Sequence, residues 1–333
     1  MDQLEPRQLF AVLTPGQTVT TTISVIGQQK NWTVPLVAGR AVTVAAGDLG
    51  TGSFATQLSL INPSGAVVAT NSGNAGAFVT TTALVTGTYT VRLSDVGNNQ
   101  TGSARVTAFY YASSITDSDD AFAAESGRRR AATIQPGDLD VWTLSASQAQ
   151  FLSTVATENR SGDVLGIGVQ LIGPHGKIVQ QKSSDKGVKI DVSNSAAGKY
   201  YAVVYEPGSN ATGRYGISFA RAPGTQYAGD PDTATPLPAN TTRYGDLPGG
   251  DIDIFAITIA AGKKLSATVA RTTGLLSPEL LLIDPTGKVV ATVNGSTTAT
   301  LNYTAVSAGK YWLVARDREA DNGGQFSIKY TLS

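Results

Sequence analysis

Ala197-Gly198-Lys199-Tyr200-Tyr201-Ala202-Val203-Val204 decides the fold, because it returns elsewhere in the chain. It recurs as Ala308-Gly309-Lys310-Tyr311-Trp312-Leu313-Val314, and more loosely as Thr86-Gly87-Thr88-Tyr89-Thr90-Val91. Gly87, Gly198 and Gly309 stand 111 residues apart at each step. A second landmark keeps that step: Ile61-Asn62-Pro63-Ser64-Gly65, Ile172-Gly173-Pro174-His175-Gly176 and Ile283-Asp284-Pro285-Thr286-Gly287. Gly102, Gly213 and Gly324, each opening a last apolar alternation, are a third. Three landmarks on one period mean one domain written three times. The expected units are residues 1–113, 114–224 and 225–333.

Each unit reads as β-structure. Ala41-Val42-Thr43-Val44 and Gln57-Leu58-Ser59-Leu60 alternate with period two, as a sheet with one buried and one wet face requires. Pro-x-Gly then reverses the chain into a further strand, proline setting φ and glycine tolerating positive φ. No stretch keeps a long 3.6-residue period, so the class is all-β: three tandem antiparallel β-sandwiches. Linkers fall at 112–120 and 222–248, and rigid sandwiches spaced by short joints are the expected arrangement.

The bulk numbers exclude several functions. The chain has 333 residues, 25 basic and 25 acidic, and a formal charge of zero, so no global field favours nucleic acid or an anionic membrane. Its basic run, Arg128-Arg129-Arg130, follows an acidic stretch and reads as a solvated or locally paired turn. Cysteine is absent, which removes disulfides, thiolate chemistry and cysteine-ligated metals. No apolar run reaches the ~18–20 residues of a membrane helix, so membrane insertion is not expected. Residues 9–13 are too short for the ~7–15 apolar residues of a signal-peptide core, so no export signal is evident.

Catalytic machinery is not expected. The single histidine, His175, lies in a turn whose copies are Ser64 and Thr286, not in a cluster that activates a nucleophile or holds a metal. Asp138/Asp140 and Asp251/Asp253 have the spacing of paired carboxylates, but occupy repeated scaffold positions without a cleft signature. Trp32, Trp142 and Phe255 align at an inward strand position, as core residues would. Tyr201 and Trp312 fall on the face opposite Tyr89, Tyr200 and Tyr311, as a platform for sugar or collagen or as packing against a neighbouring domain.

Taken in order, the second and third units show an acidic linker, then Gly137-Asp138-Leu139-Asp140-Val141-Trp142 or Gly250-Asp251-Ile252-Asp253-Ile254-Phe255. The proline hairpin, the A-G-x-Y strand and a closing G-x-[YF] strand follow. This set resembles the bacterial pre-peptidase C-terminal domain, an antiparallel jelly-roll-like sandwich found beside catalytic domains of secreted proteases and in surface proteins. The similar collagen-binding domains of clostridial collagenases hold calcium with linker and first-strand acids. That resemblance implies Ca2+ at Asp117, Asp119, Asp120, Asp138 and Asp140 in the second unit, and at Asp230, Asp232, Asp251 and Asp253 in the third. The other reading is that these acids cap turns and keep edges soluble. The first unit has Gln29-Lys30-Asn31 there and should not bind.

Near the start, Leu4-Glu5-Pro6-Arg7-Gln8-Leu9-Phe10 resembles the LEPR-XLL stretch of many large exported planctomycete proteins, with Phe10 where leucine is usual. Otherwise it is a polar tail leading into the first strand. The expectation is therefore a non-catalytic, exported bacterial surface, matrix or adhesion protein. Its partner would be an extracellular protein or polysaccharide, or a copy of itself. The alternative is an accessory substrate-binding module of a secreted peptidase or other hydrolase.

Overall fold

The computed structural model describes residues 10–50, 54–112, 115, 117, 123–158, 166–230, 232 and 236–333. The LEPR-like residues 4–9, and Asp119 and Asp120, lie outside them. The described residues form strands, turns and loops without helix, in six sheets.

The sheets are numbered here by their order in space. Sheet 1 runs Ala11–Val12, Lys30–Leu36, Gly87–Asp95, Thr56–Ile61, Val67–Gly73, its short first strand being parallel to its neighbour. Sheet 2 runs Thr18–Ile23, Gly102–Tyr110, Ala41–Asp48, Gly76–Thr82. Sheet 3 holds Asp140–Ala146, Gly198–Tyr205, Ile167–Ile172 and Ile178–Ser184. Sheet 4 holds Arg130–Ile134, Gly213–Ala222, Phe151–Glu158 and Gly187–Val192. Sheet 5 has Ile252–Ile259, Gly309–Asp317, Pro278–Ile283 and Val289–Asn294. Sheet 6 has Arg243–Leu247, Gly324–Leu332, Lys264–Arg271 and Thr298–Thr304.

Counted within the second repeat, the strand orders are 1-8-3-6 and 2-7-4-5, the two interleaved sheets of a jelly roll. The third repeat, and the first apart from its added short strand, repeat that order. Each sandwich encloses its own core, with Trp32, Trp142 and Phe255 among the buried residues of the three.

The periodic motifs are explained by their contacts. A side chain on Gly87, Gly198 or Gly309 would lie 2.6 Å from Pro63, Pro174 or Pro285 respectively. Two landmarks share one period because each glycine lets its strand pass over the proline of the neighbouring hairpin. The tyrosine two residues on is buried and donates back to the chain four residues earlier: Tyr89 to Val85 at 3.0 Å, Tyr200 to Ala196 at 3.2 Å, Tyr311 to Ser307 at 2.8 Å.

The expectation of spaced sandwiches is corrected. Ala41, Ala45 and Phe109 of sheet 2 pack with Val141, Tyr201 and Val203 of sheet 3 in one buried cluster. Phe151, Val155 and Ala220 of sheet 4 pack likewise with Ile254, Trp312 and Val314 of sheet 5. Sandwiches therefore meet face to face, in one six-layer stack. The cause is visible in the inner strands. Ile167–Ile172 and Pro278–Ile283 are buried along their whole length, whereas Lys264–Arg271 of sheet 6 alternates buried and open residues. Burial on both faces removes alternation, as in strands covered on two sides.

Candidate functional site

The predicted acids come to the joints between sandwiches, where the turn from each repeat's first strand into its second meets the preceding sandwich. At the first joint, Asp138 is buried and accepts from Thr18 of the preceding sandwich and from Leu139 N, both at 2.9 Å. Asp140 is fully buried and accepts from the Tyr215 hydroxyl at 2.6 Å; Trp142 Nε1 in turn donates to that hydroxyl at 2.9 Å. Asp117 accepts from Val141 N at 3.0 Å. Each of these carboxylates thus works as a structural acceptor.

The second joint departs from this pattern. Asp251 accepts from Ser218 Oγ at 3.0 Å and from Ile252 N at 2.8 Å, repeating the bridge to the previous sandwich. Asp253 corresponds to Asp140, but Phe326 stands where Tyr215 donates and Phe255 replaces Trp142. Both oxygens of Asp253 are buried and, among the described residues, find no donor. An unpartnered carboxylate in such a place is a costly arrangement.

Around it lies further acid. Asp230, Asp232, Asp246 and Asp251 line a cleft of about 330 Å³ together with Arg128 and Arg129. Asp230 Oδ1 accepts from Asp232 N at 2.9 Å, and Asp232 Oδ2 from Asp246 N. Burial raises the Asp251 pKa from 3.8 to about 7, with Asp230 adding to the rise and Ser218, Ile252 and Arg129 opposing it. Asp253 is pushed well above the usual carboxylate range, by burial first and then by Asp251, Asp230, Asp232 and Asp246. Arg129 is lowered by burial against the pull of Asp251 and Asp246, and its Nε donates to Gly249 O at 2.8 Å. Among the described residues, no three acidic or histidine side chains already form a group that would hold a metal ion.

The remaining sequence-predicted residues fall elsewhere. Tyr201 and Trp312 are 2% and 5% exposed and sit in the two seams, so the reading of them as exposed platforms is corrected. Their apolar faces fill the contact between sandwiches, the other role that their position allowed. His175 is an exposed turn residue. The basic run divides: Arg128 and Arg130 pair with Glu125, Arg128 also lying 4.4 Å over the Tyr227 ring, while Arg129 turns into the acidic cleft.

One set of carboxylates was overlooked although it keeps the 111-residue step: Asp95, Glu206 and Asp317. Each closes the loop after its strand by accepting backbone N–H groups. Asp95 takes those of Asn99 and Gln100, Glu206 those of Asn210 and Ala211, and Asp317 those of Glu319 and Asp321. Glu279 and Arg316, which form the second seam's ion cluster, were also missed, because nothing in their local sequence marks them as paired.

Comparison with known proteins adds likeness to solved structures only. No protein family matches the chain, and no curated protein matches it. The pre-peptidase C-terminal domain of a Bacillus anthracis collagenase aligns at 24% identity over 29% of this chain and 98% of that domain, TM-score 0.24. A periplasmic inhibitor of g-type lysozyme from Salmonella Typhimurium aligns at 18% identity, over 29% of this chain and 95% of the inhibitor, TM-score 0.23. A triple jelly-roll protein of an archaeal virus turret covers 97% of this chain and 89% of its own, at 9% identity and TM-score 0.23. The chain is an all-β protein of three tandem jelly-roll-like sandwiches.

No helix among the described residues is long and apolar enough to cross a membrane.

Proposed function

We propose that this chain is a non-catalytic, exported bacterial protein of the cell surface or matrix, in which pre-peptidase C-terminal-like sandwiches act as one stiff spacer. The observation that carries the reading is the pair of apolar seams, which turn three sandwiches into a single stack. Such a body suits holding partners at a fixed separation. The ordered motif set and the LEPR-like start support export. The readout is fractionation of a bacterium producing the full chain, followed with an antibody. Recovery from the surface or medium is expected; confinement to the cytosol would overturn the proposal.

The resemblance also implies calcium, and the second joint fits its donor chemistry. Asp253 offers two bare carboxylate oxygens, with further acids around the adjoining cleft, and calcium takes six to eight oxygens. Asp230, Asp232, Asp251 and Asp253 would hold the ion, which would neutralise the buried charge and stiffen the joint. At the first joint, Asp138 and Asp140 already have protein donors, so the third repeat is the stronger candidate. Ligand that binds only the native state raises the melting midpoint by mass action. The full chain should melt higher in millimolar calcium than in EDTA, and Asp253→Asn should lose most of that rise. An unchanged midpoint would reduce these acids to structural acceptors.

A further inference from the structure

Beside the first seam lies a cleft of about 370 Å³ lined by Arg40, Tyr111, Ala112, Lys199 and Tyr201. The linker leaves the first sandwich here, and its chemistry is unlike the acidic joints. Arg40 lies over the Tyr111 ring at 4.8 Å, and the Lys199 ammonium lies 6.0 Å from the Tyr201 ring centre. The two rings meet edge to face at 5.5 Å and 88°, and the Tyr201 hydroxyl donates to Ala112 O at 3.2 Å. A side chain on Gly176 of the second sandwich would lie 2.9 Å from both Arg40 and Tyr111, and the Gly176 carbonyl accepts from Ala41 N at 2.7 Å. The aromatic floor is thus fixed by both sandwiches. Among the described residues neither cation forms an ion pair.

The second seam is an internal control. By strand register, Gln150 occupies the place of Arg40 and Ala222 that of Tyr111, while Lys310 and Trp312 replace Lys199 and Tyr201. Gln150 donates to Pro223 O and is buried. The hollow on that seam, beside Ala149 and Gly287, is lined by one cation, Lys288. The repeat alone therefore does not require two unpaired cations on an aromatic floor.

We infer that the Arg40–Lys199 cleft binds a carboxylated sugar unit of an acidic polysaccharide. A uronate-type ring presents an apolar C–H face, which suits the open part of half-buried Tyr111 and Ala112, Tyr201 being closed beneath them, and an edge carboxylate. A guanidinium fork grips a carboxylate through two hydrogen bonds, and the ammonium adds a second point of charge. An acidic peptide offers the carboxylate without the apolar ring face. The inference rests on the reading of the chain as a non-catalytic surface or matrix protein, and names its partner.

The test is titration of the full chain with a galacturonic acid tetramer, its neutral galactose counterpart, a glutamate tetrapeptide and inorganic sulfate. Melting curves of each variant check folding. The acidic sugar should bind at millimolar concentration or below and the neutral one should not. Arg40→Gln and Lys199→Gln should each weaken binding about tenfold or more, as removal of a charged partner commonly does. Lys310→Gln, at the matching place in the third repeat, should leave it unchanged. Absence of uronate binding, equal binding of the neutral sugar, or binding indifferent to Arg40→Gln would overturn the cleft. Equal affinity for the glutamate peptide or for sulfate would overturn the saccharide assignment. Shortening of the tetramer during the titration would separately overturn the non-catalytic reading.

Discussion

Phe326 in place of Tyr215 changes the state of one carboxyl without altering the fold. In the second sandwich a hydroxyl meets Asp140; in the third the ring remains and the hydroxyl is gone. The closing G-x-[YF] motif shows that substitution in the sequence, but not its consequence. Tyr215 and Asp140 stand 75 residues apart on facing sheets, so only the fold reveals that one satisfies the other. A pH dependence follows. Asp251 and Asp253 have folded-state pKa values above those of the unfolded chain, so the native state holds its protons more tightly and acid favours it. Their contribution is best below about pH 4, declines as pH rises, and for Asp251 levels off above about 7. At about 1.4 kcal/mol per tenfold change in proton affinity, the Asp251 shift corresponds to at most on the order of 4 kcal/mol. In EDTA, Asp253→Asn should raise stability at pH 8 by about 1–3 kcal/mol and flatten the fall between pH 4 and 7. Denaturant midpoints measured across that range check this. A variant less stable than wild type at pH 8 would mean that the carboxylate is satisfied.

At the scale of elements, the two seams are fastened by different chemistry at the same repeat position. Tyr205 stacks on Phe78 at 4.2 Å in the first and accepts from Gln181 at 2.7 Å. Its counterpart in the second seam is Arg316, which is 1% exposed. Arg316 grips Asp191 with two bonds of 2.6 and 2.7 Å, and also donates to Glu279 at 2.7 Å and Ser153 at 2.6 Å. Lys189 reaches Glu279 at 2.6 Å. Burial opposes ionisation of both partners, but their mutual bonds and charges override it, so Asp191 is lowered and Arg316 raised. Removing one member of a buried pair strands the other, at a cost of about 3–5 kcal/mol. Asp191 is at the rim and its loss leaves Arg316 still bound to Glu279 and Ser153, so Asp191→Ala should cost less than this, while Arg316→Ala should loosen the seam itself. Calorimetry should show one cooperative transition for the wild-type chain and an earlier, separate melting of the third sandwich in Arg316→Ala. Two transitions in the wild-type chain would show that the seam does not couple the sandwiches.

For the whole molecule, the repeat made three sandwiches legible, because turns, strand openings and their glycine–proline contacts are local and periodic. The stacking was less legible. Its signal was the loss of alternation in Tyr200-Tyr201-Ala202-Val203-Val204-Tyr205, all buried, half toward their own core and half toward the neighbour. Such a run also fits an ordinary buried strand, and choosing between them requires knowing what lies beyond the sheet. Nor was the acidic cleft fully legible: Asp230, Asp232 and Asp251 were named but Asp246 was not, and the bare state of Asp253 depends on facing strands.

The outer faces of the stack differ from those inside it. Sheet 1 turns Asn31, Thr33, Ser59, Thr90 and Arg92 outward, and sheet 6 turns Ser266, Thr268, Thr300, Asn302 and Lys329 outward. In an array of identical beads, unequal crossing-over adds or deletes copies at little cost, so copy number drifts. Here every copy is fitted to its address. Deleting the middle one would set the face of sheet 2 that carries Ala41, Ala45, Phe78 and Phe109 against the Ile254–Trp312–Val314 face, and leave Arg316 without Asp191. A recombinant that lost or gained one copy would therefore bring together faces that were not shaped for each other.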